Sequence, residues 1–349
     1  MKQWEKTWGP WPPSVSYSDP GALCVATDRS AVVAYSCLQD GGGEGAQDIF
    51  VAKVNTGGTS EWSRIWDTGN DEIPMDVCSD GADHLYLAGY QYDSTSAAVA
   101  LVLKLDLDGN IGWTQTWRAV DSQDGVAARG ICCAGTDSIY VVGDTYGEFD
   151  GQTNAGFYDS FLSKFNAAGD RLWSRIWGGP DYETANDVAM SPFGEVVAVS
   201  LTTPNPGIAW ELASYTPDGS QVWTRTWGTS ASWEGPRLDV FETNVFVVLD
   251  AGGEWDGQTN AGDSDFGLAK WNLDYRPELQ PAGAAGSNVM LDWRGAWNCT
   301  FDVEVSTNLC DTNAWELLAG QTNLPGSEFM TCTDTNAPRL RYYRVKASE

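Results

Sequence analysis

Histidine is almost missing from this 349-residue chain: His84 is the only one. Its scarcity removes His-centred triads, His-rich zinc sites and His general-base mechanisms, and leaves carboxylate chemistry open. Basic residues are scarce as well. Twenty Lys and Arg face 48 Asp and Glu, a net charge of −28. A nucleic-acid backbone or an anionic membrane surface would repel such a chain, so neither is expected as a partner. Apolar runs such as that from Ala97 to Leu103 are too short to span a bilayer, and no membrane insertion is expected. Met1-Lys2-Gln3-Trp4 carries no apolar signal-peptide core. The eight cysteines form no CxxC, which argues against zinc and redox motifs. In a chain of this length they read as small buried apolar residues rather than a disulfide framework, with a bridge in the C-terminal segment left open.

Tryptophan and glycine are plentiful, at 18 and 38 residues. The tryptophans are periodic. Trp-x-x-x-Trp occurs at Trp4/Trp8, Trp62/Trp66, Trp113/Trp117, Trp173/Trp177 and Trp223/Trp227. Nine residues before the later first tryptophans stand Lys53, Lys104, Lys164 and Ser214. Lys270 predicts a further Trp at 279, where Leu279 stands between Pro277 and Pro281. The fifth unit therefore lacks its last strand, and an orphan strand opens the chain. A ring solves both: the N-terminal strand completes the last sheet, and closure hides edges that would invite aggregation. The fourth unit shows four strands in order, at 185–190, 195–201, 209–216 and 221–227, separated by turns such as Pro217-Asp218-Gly219. Four short strands per repeat make a β-propeller blade, so the spacing predicts an all-β, five-bladed propeller over residues 1–276.

The segments Asn186-Asp-Val-Ala189, Gly194-Glu-Val-Val-Ala-Val199 and Asp159-Ser-Phe-Leu-Ser-Lys164, with Trp173-Ser-Arg-Ile-Trp177, resemble the bacterial β-propeller repeat. That family is found mostly in secreted or surface proteins, so the resemblance implies such a location. It is named for seven blades, against the five counted here. After residues 277–286, which read as a linker rich in Pro, Gly and Ala, strand alternation resumes at 287–349. Phe301-Asp-Val-Glu-Val-Ser306, Trp315 and Arg341-Tyr-Tyr-Arg-Val345 resemble a fibronectin-type-III segment, a small β-sandwich-like domain.

Three constellations could carry function. On a strand, residues i, i+2 and i+4 share a face. Trp62-Arg64-Trp66, Trp173-Arg175-Trp177 and Trp223-Arg225-Trp227 therefore set a guanidinium between two indoles; Lys6 takes that place between Trp4 and Trp8, and Gln115 between Trp113 and Trp117. Such a ladder stiffens an outer strand, or offers platforms to sugar rings. Second, Asp150-Gly-Gln-Thr-Asn-Ala-Gly156 recurs as Asp256-Gly-Gln-Thr-Asn-Ala-Gly262, each ahead of a strand-leading Asp159 or Asp265. Asp150, Gln152, Asn154 and Asp159, and their copies Asp256, Gln258, Asn260 and Asp265, supply oxygens that suit calcium. The same residues equally suit an Asx-turn loop. Third, Asp76 and Asp187 align on the first strands, and Asp239 approximately so. They read either as bonds to a neighbouring blade or as the carboxylates of a glycoside hydrolase.

The leading expectation is a non-catalytic secreted or surface binding and adhesion module for a glycan or a protein. Trp233 and Trp255 are its ligand contacts, because they fall outside the ladder. The alternatives are an architectural assembly protein and a carboxylate-dependent glycoside hydrolase. No cofactor is called for beyond calcium in the duplicated loops.

Overall fold

The computed structural model describes residues 3–6, 21–38, 47–120, 125–203, 207–228, 235–251, 265–273, 280–285, 288–294, 300–306, 316–318, 324–325, 329–334 and 342–348. Among these every regular element is a β-strand. Blade 1 is β1 (Ala22–Val25), β2 (Ala31–Leu38), β3 (Gln47–Val54) and β4 (Ser60–Trp66). Blade 2 is β5 (Glu72–Ser79), β6 (His84–Tyr92), β7 (Ala98–Asp106) and β8 (Ile111–Trp117). Blade 3 is β9 (Val126–Cys133), β10 (Ile139–Thr145), β11 (Asp159–Phe165) and β12 (Arg171–Trp177). Blade 4 is β13 (Glu183–Met190), β14 (Val196–Thr202), β15 (Ala209–Tyr215) and β16 (Gln221–Trp227). Blade 5 holds β17 (Arg237–Phe241), β18 (Asn244–Ala251) and β19 (Asp265–Asn272). Each of blades 1 to 4 is a four-stranded antiparallel meander in chain order, and blade 5 has three strands among the described residues. The five-bladed architecture read from the tryptophan repeat is the architecture observed.

The middle strands are apolar on both faces because a blade lies on each side. In β6, Leu85 and Leu87 join Ala22, Val32, Ile49 and Val51 of blade 1. Tyr86 and Ala88, one residue out of step, join Val126, Ile131, Val141 and Phe161 of blade 3. One strand thus feeds two cores through its period of two. The interface of blades 3 and 4 repeats this with Tyr140, Val142, Val196 and Ala198. Cys37 and Cys132 are buried in these layers. Burial pushes the Cys37 thiol up to about 11 and that of Cys24 to about 12, so they behave as apolar fillers.

A repeated latch locks neighbouring blades. The indole N–H of Trp62 donates to Leu107 O of the next blade's last turn at 2.8 Å, and that of Trp113 to Ala167 O at 3.0 Å. The recurring lysines reach the same carbonyls: Lys53 to Leu107 (3.3 Å), Lys104 to Ala167 (3.0 Å) and Lys164 to Pro217 (3.2 Å). They are inter-blade partners, chiefly of carbonyls, although Lys53 also pairs with Asp28 at 2.6 Å. Each turn needs a glycine under the indole. At Gly109, φ is +79°, and a Cβ would stand 2.9 Å from the Trp62 ring. Gly58 repeats this with Trp4, whose N–H donates to Thr56 O at 3.0 Å. Trp4 therefore makes on blade 1 the contact that an outer-strand tryptophan of blade 5 would make, as closure of the ring through the N-terminal segment requires.

The chain divides into two compact units, one of residues 1–190, 196–239 and 246–270, the other of the remainder. The C-terminal part builds two antiparallel sheets. The first orders β20 (Gln280–Ala285), β21 (Asn288–Arg294) and β25 (Phe329–Asp334). The second sets β22 (Thr300–Ser306) against β23 (Glu316–Leu317), β24 (Leu324–Pro325) and β26 (Tyr342–Ser348). Residues 280–285 were expected as linker, yet they pair with β21 through a bulge between Pro281 and Gly283. An edge strand with a bulge tolerates the proline that would break a central one.

Candidate functional site

The first strands of the blades line the central channel, and their register defines a ring of equivalent positions. Asp76 Oδ2 accepts the Ile131 N–H of the next blade at 2.8 Å, and Asp187 Oδ2 accepts that of Leu238 at 2.9 Å. Their Oδ1 atoms accept the N–H of the following residue, Val77 or Val188. The ring thus reads Ala22, Asp76, Gly130, Asp187 and Arg237. Asp239 lies two residues beyond the ring, so its approximate alignment is corrected to Arg237. Gly130 is required, because a Cβ there would meet the Asp187 Cα at 2.8 Å.

β5, β9 and β13 each carry a bulge beside this ring, at Met75, Arg129 and Asn186. A bulge re-aims a side chain, and all three line one cavity of about 1400 Å³ within the propeller unit. The second strands contribute another ring. Register, and the lysine contacts on Tyr86, Tyr140 and Phe246, align Ser36, Tyr90, Asp144, Leu201 and Asp250. Two carboxylates among five positions make this ring asymmetric, and both line the cavity.

The electrostatics separate these groups. Burial pushes Asp76 up to about 7, and the charge of Asp187 adds to it. Burial pushes Asp187 up to about 6, against the Leu238 N–H and Arg237. Two carboxyls that share a channel hold a proton near neutrality. Asp144 is ion-paired with Arg129. Arg237 reaches across the ring, donating to Asn186 O at 3.1 Å.

Aromatic rings stand beside the carboxylates: Tyr90, Tyr92, Tyr146, Tyr158 and Tyr182 line the same cavity. Tyr158 lies 5.6 Å from Tyr182 and 5.2 Å from Tyr146. Phe157 stacks on Tyr182 at 5.2 Å with planes 3° apart. Tyr146, Phe157 and Tyr182 remain exposed. The duplicated loop positions this group. Asn154 Nδ2 donates to Thr145 O (2.7 Å), its Oδ1 accepts Gly156 N–H (2.9 Å), and Gln152 Nε2 donates to Ser174 O (2.9 Å). Asp159 Oδ2 caps Ala155 N–H (2.7 Å), and Asp150 faces Arg171 at 3.5 Å. These side chains bind backbone and hold Phe157 and Tyr158 in place. The second copy, Asp256, Gln258 and Asn260, lies outside the described residues, as do Trp233, Trp255 and Trp8; Asp265 opens β19.

The ladder lies on the outer strands. Arg64, Arg175 and Arg225 stand over Trp62, Trp173 and Trp223, with guanidinium carbons 5.7, 5.2 and 5.9 Å from the ring centres. Arg64 and Arg175 also donate to the next blade's turn at Asp108 O and Asp218 O. Both indoles of a pair pack on the blade cores, as Trp62 does with Trp66, Trp113 with Trp117 and Trp173 with Trp177. Trp66 packs with the core of blades 1 and 2, Trp117 with Phe149 and Phe165, Trp177 with Tyr215 and Trp227 with Trp210. Lys6 is exposed.

No protein-family model matches the sequence, and no curated protein matches it in sequence. Solved structures do match in fold. The α-L-arabinanase of Penicillium chrysogenum, complexed with arabinobiose, aligns over 92% of this chain and 96% of its own, at a TM-score of 0.50 and 11% identity. The α-L-arabinofuranosidase of Fusarium graminearum aligns over 79% and 87%, at 0.46 and 10%. A family 32 glycoside hydrolase of Bifidobacterium adolescentis aligns over 94% and 79%, at 0.39 and 10%. The expectation of a non-catalytic binding and adhesion module, and of no enzyme, is corrected here. The arabinanase, whose fold this chain shares, is a glycoside hydrolase, and Asp76, Asp144, Asp187 and Asp250 line one cavity of this chain.

Proposed function

We propose that the protein is a carboxylate-dependent glycoside hydrolase working in the central cavity. The observation that carries this reading is the convergence of Asp76, Asp144, Asp187 and Asp250 in one cavity that tyrosines also line. Glycoside hydrolysis needs one carboxyl to protonate the leaving oxygen and another, ionised, at the sugar. Asp76, sharing a proton with Asp187, is the acid in this reading. Asp250 is the carboxylate that activates water or meets the anomeric carbon. The Arg129–Asp144 pair and Arg237 hold sugar hydroxyls, while Tyr146, Tyr158 and Tyr182 take the apolar ring face. The arabinanase likeness makes an arabinose-containing polysaccharide the first substrate to test. A secreted or surface location, implied by the likeness to the bacterial repeat, suits a polymeric substrate. The fibronectin-type-III-like reading of the C-terminal segment draws support from its two antiparallel sheets, the first of which begins at Gln280.

The test is reducing-sugar release from a panel of arabinans, xylans, fructans and glucans by wild-type and Asp250→Asn protein. Turnover of at least one polymer is expected, with a loss of about 10²-fold or more in the variant. A blank panel from folded protein, or equal rates, would contradict the reading.

A further inference from the structure

Blades 1 and 2 meet at three carboxylates that the channel does not use. Asp48 leads β3, Glu72 leads β5, and Asp67 follows Trp66 at the end of β4. One oxygen of each lies within 4.8 Å of the others. Asp48 and Glu72 are buried, at 3% and 0% exposure, and Asp67 opens to solvent. Thr68 donates its N–H and hydroxyl to Glu72 Oε1. Glu72 Oε2 is buried and has no hydrogen-bond partner. An unpartnered carboxylate oxygen beside two further carboxylates carries a large desolvation and repulsion cost unless something positive joins it.

The repeats supply an internal comparison. At the junction of blades 3 and 4, Asp159 and Glu183 occupy the positions of Asp48 and Glu72, and Asp159 Oδ1 is again buried without a partner. Gly178 stands there in place of Asp67. At the junction of blades 2 and 3 both acids are absent together: Val99 and Val126 fill the positions, each buried. The fold therefore does not need acids at this place. Among these three junctions the acids form a triad at one, a pair at another and are absent from the third.

We propose that Asp48, Asp67 and Glu72 bind a divalent cation of the calcium type between blades 1 and 2. Oxygens that share such an ion lie at most about 5 Å apart, twice a bond of 2.3–2.6 Å, and the triad meets that limit. An all-oxygen carboxylate set selects a hard cation, and the solvent side at Asp67 leaves room for water ligands. Asp67 also supplies the entry path. The ion would cross-link β3, the end of β4 and β5, tying two blades where the Trp–turn latch does not reach.

The experiment uses the full chain, stripped of metal and titrated with calcium chloride alone, read by calorimetry and by melting with and without EDTA. One strong site is expected, with a higher melting midpoint in calcium. Asp67→Asn, an exposed change, is expected to weaken binding about tenfold or more. Asp48→Val/Glu72→Val copies the valines of the next junction and is expected to fold without calcium and to ignore it. Identical melting of wild type in calcium and EDTA with no binding heat would overturn the site, and would mean that the acids share a proton. A calcium response of full size in both variants would overturn it equally, by placing the ion elsewhere.

Discussion

Asp76→Asn is expected to lower kcat by about 10²–10⁴, the usual contribution of a positioned proton donor. The pH dependence should identify the group. Asp76 lies near 7 in the folded chain against an ordinary value of 3.8, so activity should fall as pH rises through about 7. Part of that elevation comes from the charge of Asp187. Asp187→Asn removes the charge and should move the alkaline limb to lower pH. Stability carries the same signature. Between about pH 4 and pH 7 the folded chain holds protons that the unfolded chain has released, so stability falls as pH rises across that window. The slope should flatten in Asp76→Asn. Asparagine keeps the shape but has one acceptor oxygen, so either the Val77 or the Ile131 N–H loses its partner, at about 1–3 kcal/mol. Circular dichroism of the variant separates that loss from lost chemistry. A variant with wild-type rate, or a limb unmoved by Asp187→Asn, would contradict the assignment.

Deleting residues 1–8 is expected to produce the largest stability change. Trp4 makes the latch that Trp62 and Trp113 make elsewhere, onto Thr56 O and over Gly58. A buried tryptophan truncated to alanine costs about 3–5 kcal/mol. Trp4 is 40% exposed, so Trp4→Ala alone should cost less, about 2 kcal/mol. If the segment closes the ring, its loss also exposes the edge of blade 5, and a drop in melting midpoint of roughly 10 °C or more is expected. Thermal melting of the full chain, the deletion and Trp4→Ala measures this. Equal midpoints would mean that the N-terminal segment does not close the ring.

The blades were legible because their period is written in residues that the fold cannot vary freely. Each outer strand needs an indole over a turn glycine, so Trp62 and Gly109 mark the repeat wherever it occurs. Strand limits in blade 4 were read to within about two residues, since Pro192-Phe-Gly194 and Pro217-Asp-Gly219 punctuate them. The site was less legible, for a physical reason. A repeat search finds positions that agree between blades, while an active site lies where they differ. Asp144 and Asp250 sit within apolar strands, opposite Ser36, Tyr90 and Leu201, and only the register shows them as one ring. Tyr146 and Tyr158 stand at the two ends of the β10–β11 loop, and Tyr182 comes from the β12–β13 loop. Asp76 and Asp187 were visible as aligned acids, and both readings of them meet in the structure: they bond the next blade and also face the channel. Arg237 stands ten residues after Trp227, as Asp76 does after Trp66 and Asp187 after Trp177, but an arginine at that position does not read as a member of an acidic alignment.

The most direct test of a catalytic channel is a crystal structure of Asp76→Asn protein soaked with an oligosaccharide of the best polymer in the panel. The account predicts a sugar bridging residues 76 and 250, its ring against Tyr158 or Tyr182, with the scissile oxygen within hydrogen-bond reach of residue 76. Sugar seated only on the outer tryptophans, with the channel holding solvent, would contradict it.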